Sequence, residues 1–359
     1  MSGLEDELRD TVSALLRKRC TPEAVAALAD GPEPYDRALW AELAEMGLPG
    51  LAVPEALGGA GLGLSAAVVV QEELGRSIAP APTVSLAAVT AAAITAGSRG
   101  EAWIERLVSG ETVAAVAAGR TPSGWTACDE VKAEREGDAW RLHGRVPVVA
   151  EALAADVLLV AVEGGDGLLL FLAAPAEVTP VDSLDPTRPL GTAVFDGPAE
   201  LIAEGAGART VLDAAERTAL LLLAADAVGV AAAATDLAVD YAKTRHQFGR
   251  AIGSFQAVAH RCADMFVAVE SARALVAAAA SACDEDAPDA ATAVALAAAN
   301  ALDAAVTATQ GSVQVHGGMG FTWEHVSHRH LRRAKAAEAL IAFPDRLRDR
   351  ATTTLLNSK

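Results

Sequence analysis

Two stretches of this chain combine residue types able to hold an anionic, ring-bearing ligand. The first is Thr244-Arg245-His246-Gln247-Phe248-Gly249-Arg250-Ala251-Ile252-Gly253-Ser254-Phe255-Gln256. Here a guanidinium supplies forked donors suited to phosphate, and glycine lets the backbone approach closely. The second is Gln314-Val315-His316-Gly317-Gly318-Met319-Gly320-Phe321-Thr322-Trp323-Glu324. Its glycines imitate a dinucleotide fingerprint, but that motif belongs between the strand and helix of a βαβ unit, whereas this run follows a long helical pattern. Taken alone, each stretch also reads as a helix end, with an arginine complementing the macrodipole or a glycine closing the last turn.

Other residue types point away from whole classes of function. Lysine plus arginine number 29 against 47 aspartates and glutamates, a net charge of −18, which disfavours binding to a phosphate backbone. His325, His328 and His330 near Glu324 invite a metal reading, but Arg329, Arg332 and Arg333 are interleaved with them, so a solvated or interface helix face is expected and no metal site. The basic run Trp323 to Lys335 is then either a surface for an acidic partner or a helix end. Cys20, Cys128, Cys262 and Cys283 show no metal or redox spacing, and no basic, apolar leader opens the sequence. A cytoplasmic protein with reduced thiols is expected. The apolar stretch Ala219 to Ala234 is broken by Asp226, so it reads as buried helix and not as a membrane span.

The elements that must position these residues follow from periodicity. Three-to-four spacing of apolar residues predicts helices from Leu4 and over Ala38 to Met46, then an irregular Val53 to Gly61 turn. Next comes a helix from Ser65, as cap, to Gly75, as stop, with further helices over Ser85 to Ala96 and Glu101 to Val108. Short β-like runs follow at Thr112–Ala118, Val131–Glu136, Trp140–His143, Asp156–Val162, Gly167–Leu172 and Thr192–Phe195. Helical periodicity returns over Glu216–Arg245, Ser254–Cys283, Asp289–Val315 and Glu324–Ala342. The expected class is α+β in three domains: helical over 1–110, a small β domain over 111–205, and a helical bundle over 206–359.

In order and spacing, Val53-Pro54-Glu55 with Gly58-Gly59-Ala60-Gly61, Arg245-x-x-Phe248-Gly249 with Phe255-Gln256, Ala263-Asp264-Met265, and Gln314-x-x-Gly317-Gly318-x-Gly320 with Glu324 resemble the acyl-CoA dehydrogenase family over nearly the whole chain. The resemblance implies an N-terminal α domain, a central β domain and a C-terminal four-helix bundle, with FAD lying across a subunit interface. It places Arg245, Gln247, Phe248, Ile252, Phe255, Gln256, Gln314, Val315, Gly317 and Gly318 against the flavin of a neighbouring subunit, Arg245 meeting the pyrophosphate. It also implies an acyl-CoA substrate and an electron-transfer acceptor.

The family's reaction needs a carboxylate to take the α-proton while the flavin accepts the β-hydride. At the two positions where the family carries that base, this chain has Ile341 and Ala219, the latter followed by Leu220 in place of a usual arginine. Glu338 and Glu216 lie about one turn away and also read as a surface glutamate and a first-turn helix carboxylate. The threonine-rich flavin strand corresponds to Ala117–Gly124, and the tryptophan-bearing segment to Val148-Val149-Ala150, so the groups that face a subunit's own flavin are missing. The pattern resembles the shorter, base-less subunits of heterotetrameric actinobacterial acyl-CoA dehydrogenases that act on steroid side-chain CoA thioesters, which implies an α2β2 complex with a full-length homologous subunit. Two alternatives stand beside it: a self-sufficient homotetramer with Glu338 as a displaced base, and an interaction protein that kept only the fold.

Overall fold

The computed structural model describes residues 3–357. Along the chain, helices give way to a sheet and the sheet to helices again, the expected α+β order. The residues divide into two compact units, one of 28–63 and 80–220, the other of 1–27, 64–79 and 221–359.

The first unit is built on a seven-stranded sheet. Ala114–Ala117 pairs in parallel with Val157–Gly164, and antiparallel ladders run from there through Gly167–Ala173, Leu190–Glu204 and Ala139–Ala150 to Val131–Glu136, with Glu177–Val181 beside Leu190–Glu204. Alternate residues of these strands, among them Leu142, Val160, Phe171 and Phe195, fill one core. Two strands outrun the sequence reading. Ala139–Ala150 continues past Gly144 and Pro147 because the register shifts between Val146 and Val149, a bulge that tolerates a residue without an N–H. Leu190–Glu204 likewise carries Gly197 and Pro198 within the ladder.

The second unit is helical. Its Gly63–Arg76 helix begins two residues before the expected cap, and its leading N–H groups, those of Leu64 and Ser65, donate to the Asp284 carboxylate at 2.6 and 2.9 Å. The cap therefore comes from the end of the Gln256–Asp284 helix, not from Ser65, whose hydroxyl also donates to Asp284. Gly75 is not a stop either. It lies inside the helix, where a Cβ would stand 2.2 Å from the Asp226 carbonyl oxygen, and a Cβ on Gly229 would stand 2.0 Å from that of Glu72. Two glycines thus let the Gly63–Arg76 and Gly205–Thr244 helices cross in backbone contact.

By length and composition alone, three helices, Gly205–Thr244, Gln256–Asp284 and Ala290–Phe321, are apolar enough to cross a membrane. One carboxylate among alanines and leucines leaves the mean hydropathy high. The most apolar stretch of the first is 94% buried within the protein, that of the second only 28%. A final helix that the sequence reading did not assign, Pro344–Asn357, packs Leu347 and Ala351 inward.

Candidate functional site

The Gly205–Thr244 helix ends with the Arg245 N–H donating to the Tyr241 carbonyl at 2.8 Å. A two-rung hairpin follows, pairing His246–Gln247 with Arg250–Ala251, and the Ile252 N–H closes it onto the Arg245 carbonyl. Phe248 and Gly249 form its turn with φ of +53° and +80°. Such a turn suits glycine at both central positions, so a phenylalanine there bears strain. Its ring is 92% exposed and meets Phe255 edge-on at 6.2 Å, while the Arg250 guanidinium lies 4.0 Å over the Phe255 ring. Arg245, Gln247 and Gln256 are exposed and Ile252 is half-buried. Among the described residues, no carboxylate pairs with the Arg245 guanidinium.

The second motif closes the Ala290–His316 helix, which ends at Gly317 with φ of +60°. Gln314 is exposed and Val315 buried, while Gly317 and Gly318 are exposed and have open space where a side chain would stand. His316 is buried, and its Nδ1 lies 2.8 Å from the Ser312 carbonyl. Its ring stacks on Tyr241 with centroids 4.5 Å apart and meets His325 at 4.4 Å. The two motifs, distant in sequence, are thus neighbours at the ends of two helices. Sequence reasoning gave no role to Tyr241, which lies one turn before the motif arginine, or to His316, which it read only as a member of the second stretch.

An unpaired guanidinium, open glycine backbone and presented aromatic rings fit the pyrophosphate and ring systems of a flavin dinucleotide.

The histidines expected on one helix face separate. His325 lies tilted against His316, and burial, then the His316 and His328 charges, hold its pKa below the ordinary histidine value. His328 lies edge-on to Trp323, and His330 is buried with Nδ1 3.3 Å from the Val326 carbonyl. Among the described residues no three His, Cys, Asp or Glu side chains converge as metal ligands. The basic run also divides. Arg332 lies over the exposed Trp323 ring, whereas Arg333 is 2% exposed and donates to Asp226 from Nε at 3.1 Å and Nη2 at 2.7 Å. Arg333 is therefore an interior residue and not part of a solvated face.

The two positions named for a base hold no carboxylate. Ile341, Ala219 and Leu220 are all buried. Glu338 is held by Lys335 Nζ at 2.8 Å. Glu216 is no first-turn carboxylate, because its helix begins at Gly205. It is 3% exposed and accepts the Trp125 N–H at 3.1 Å, while Arg209 donates to the Trp125 carbonyl at 2.7 Å, so this helix grips the Gly119–Thr121/Gly124–Thr126 hairpin by the backbone of one residue. In that hairpin the Thr121 hydroxyl donates to the Gly124 carbonyl and lies 3.0 Å from Ser123 Oγ, so its polar side chains serve its own turn.

Comparison with known proteins gives the geometry a lineage. Residues 3–111 match the family model described as acyl-CoA dehydrogenase, N-terminal domain, and 205–340 that of the C-terminal domain. The chain is 33% identical over 338 residues to the Mycobacterium tuberculosis acyl-CoA dehydrogenase IpdE2, covering 94% of this chain and 92% of that protein. Among solved structures it resembles the Mycobacterium tuberculosis ChsE4-ChsE5 complex (28% identity, TM-score 0.87) and a Tcur3481-Tcur3483 steroid ACAD variant (29% identity, TM-score 0.86), each match covering 99% of this chain and 98% of the other.

Proposed function

Because the chain belongs to the acyl-CoA dehydrogenase family, oxidoreductases acting on CH–CH bonds, we propose that it completes the flavin site of a homologous partner subunit that carries the catalytic glutamate. One contrast carries this reading: a cofactor-facing loop presented with Arg245 unpaired, in a chain whose two base positions are the buried apolar residues Ile341 and Ala219. FAD, when bound, would supply the hydride-accepting chemistry for the β-carbon of the acyl-CoA, and the partner's glutamate the carboxylate for the α-proton. In that site Arg245 neutralises pyrophosphate charge, and Phe248 and Phe255 pack against the rings. Gln247, Ile252, Gln256, Gln314 and Val315 frame the loops, and Gly317 and Gly318 offer backbone N–H groups to the phosphate oxygens.

The substrate class we assign is a steroid side-chain CoA thioester, supported by likeness to the Tcur3481-Tcur3483 steroid ACAD. Likeness to the two-component ChsE4-ChsE5 and Tcur3481-Tcur3483 proteins supports a heteromer, which we assign as α2β2 with an electron-transfer acceptor to reoxidise the flavin. Expression of this chain alone and together with a longer homologous subunit, followed by native mass and flavin absorbance, tests the reading. Yellow α2β2 from co-expression and colourless material from the chain alone is the expected result. A yellow homotetramer that oxidises an acyl-CoA unaided would overturn it.

A further inference from the structure

We propose that His316 is a positioning residue for the flavin-facing loops, its imidazole acting as the joint that fixes the Arg245 hairpin against the Gly317–Gly318 turn. The inference rests on the proposed function above. Each loop begins one step from a stacked ring: the Arg245 N–H is bonded to the Tyr241 carbonyl, and His316 directly precedes Gly317. Among the described residues no hydrogen bond or ion pair joins 245–255 to 314–321, so the ring stack of Tyr241 on His316, 4.5 Å between centroids and 28° between planes, is the polar-aromatic link between them.

The imidazole is itself locked. A carbonyl only accepts, so Nδ1 carries the proton and donates to Ser312 at 2.8 Å, which fixes the ring plane one helical turn back. His325 meets the same ring at 4.4 Å with the planes tilted by 48°. A ring held by a hydrogen bond in its own helix and by contact with two aromatic rings is restricted in orientation, and the Tyr241 side chain is registered to it. The arginine that meets pyrophosphate and the glycines that receive it are then set at one spacing before the cofactor arrives, which lowers the cost of binding.

The test uses the complex isolated through a tag on this chain, freed of flavin and titrated with FAD by fluorescence quenching. His316→Ala is expected to weaken FAD binding about tenfold, the upper worth of an aromatic pair, with subunit stoichiometry and far-UV circular dichroism unchanged. Tyr241→Leu, which empties the other side of the stack, is expected to do the same, and His316→Phe, which keeps a ring, to restore most of the affinity. Arg245→Ala separates the two levels of inference. If Arg245→Ala loses FAD while His316→Ala and Tyr241→Leu both bind as the parent does, the joint is refuted and the flavin reading stands. If Arg245→Ala also binds FAD as the parent does, the loops do not contact flavin and both inferences fall. Should His316→Ala not yield a folded complex, Tyr241→Leu and His316→Phe decide the matter in the same way.

Discussion

Arg333 grips Asp226 with two guanidinium nitrogens in the interior of the helical unit, joining the Ser327–Leu340 helix to the Gly205–Thr244 helix, with Gln71 Nε2 donating to the same carboxylate at 3.3 Å. A carboxylate with no exposed surface is tolerable only when its charge and lone pairs are matched in this way.

Removal of one partner leaves the other charge stranded. Arg333→Ala is expected to lower unfolding stability by about 3–5 kcal/mol, whereas the double variant Arg333→Met, Asp226→Leu is expected to lie close to the parent. Urea unfolding of the three proteins checks this, and an Arg333→Ala midpoint equal to the parent's would contradict it.

His330 sets an acid limit. Burial, with a smaller contribution from the Arg333 and Arg76 charges, pushes its pKa down from 6.5 to about 4. In this interval the unfolded chain binds the proton and the folded chain does not, so stability rises with pH. The His330 contribution is complete above about pH 6.5 and falls as the pH drops toward 4, by about 3 kcal/mol in all. Denaturation curves at pH 7 and pH 4.5 should therefore converge in His330→Leu by comparison with the parent.

The paired glutamate near the empty base position should be dispensable. With Lys335 bound to it, Glu338→Gln is expected to leave acyl-CoA turnover of the complex within about twofold of the parent. A fall of several orders of magnitude would make Glu338 the base after all.

Helix crossing at glycine is intolerant of bulk. Gly75→Ala and Gly229→Ala each place a methyl into a carbonyl oxygen of the other helix, and each is expected to cost about 1–3 kcal/mol or more, read from thermal melts. Gly249→Ala, at an open hairpin turn with φ of +80°, bears only local backbone strain and should cost less.

Helical periodicity made the long elements legible, since alanine and leucine at three-to-four spacing leave little choice, and the ten candidates for a neighbouring subunit's flavin came from the order and spacing of the motifs that carry the family resemblance. What escaped was whatever depends on a distant neighbour. Ser65 has the composition of a cap, but the oxygen that does the capping is on Asp284. Gly75 has the composition of a stop, but its missing side chain is demanded by Asp226. Arg333 is one arginine in a basic run, and only the opposing carboxylate makes it interior. Glu216 looks like a helix-entry carboxylate until the helix is seen to start at Gly205. Tyr241 lies outside both motifs and His316 inside one without a role, because stacking is a property of two helix ends and of neither sequence alone.

The Asp284 cap has a consequence for the order of synthesis. Its carboxylate follows the N–H groups of Leu64 by 220 residues, and the unit to which both belong is assembled from three separate stretches of chain. At ribosomal speed the Gly63–Arg76 helix waits about 10 to 40 s for the group that completes its first turn. The sheet unit, by contrast, has all of its own residues once residue 220 is made, 64 residues before Asp284. The sheet unit is thus free to fold during translation, and the helical unit is committed to fold last, after release of the C-terminal helices from the ribosome.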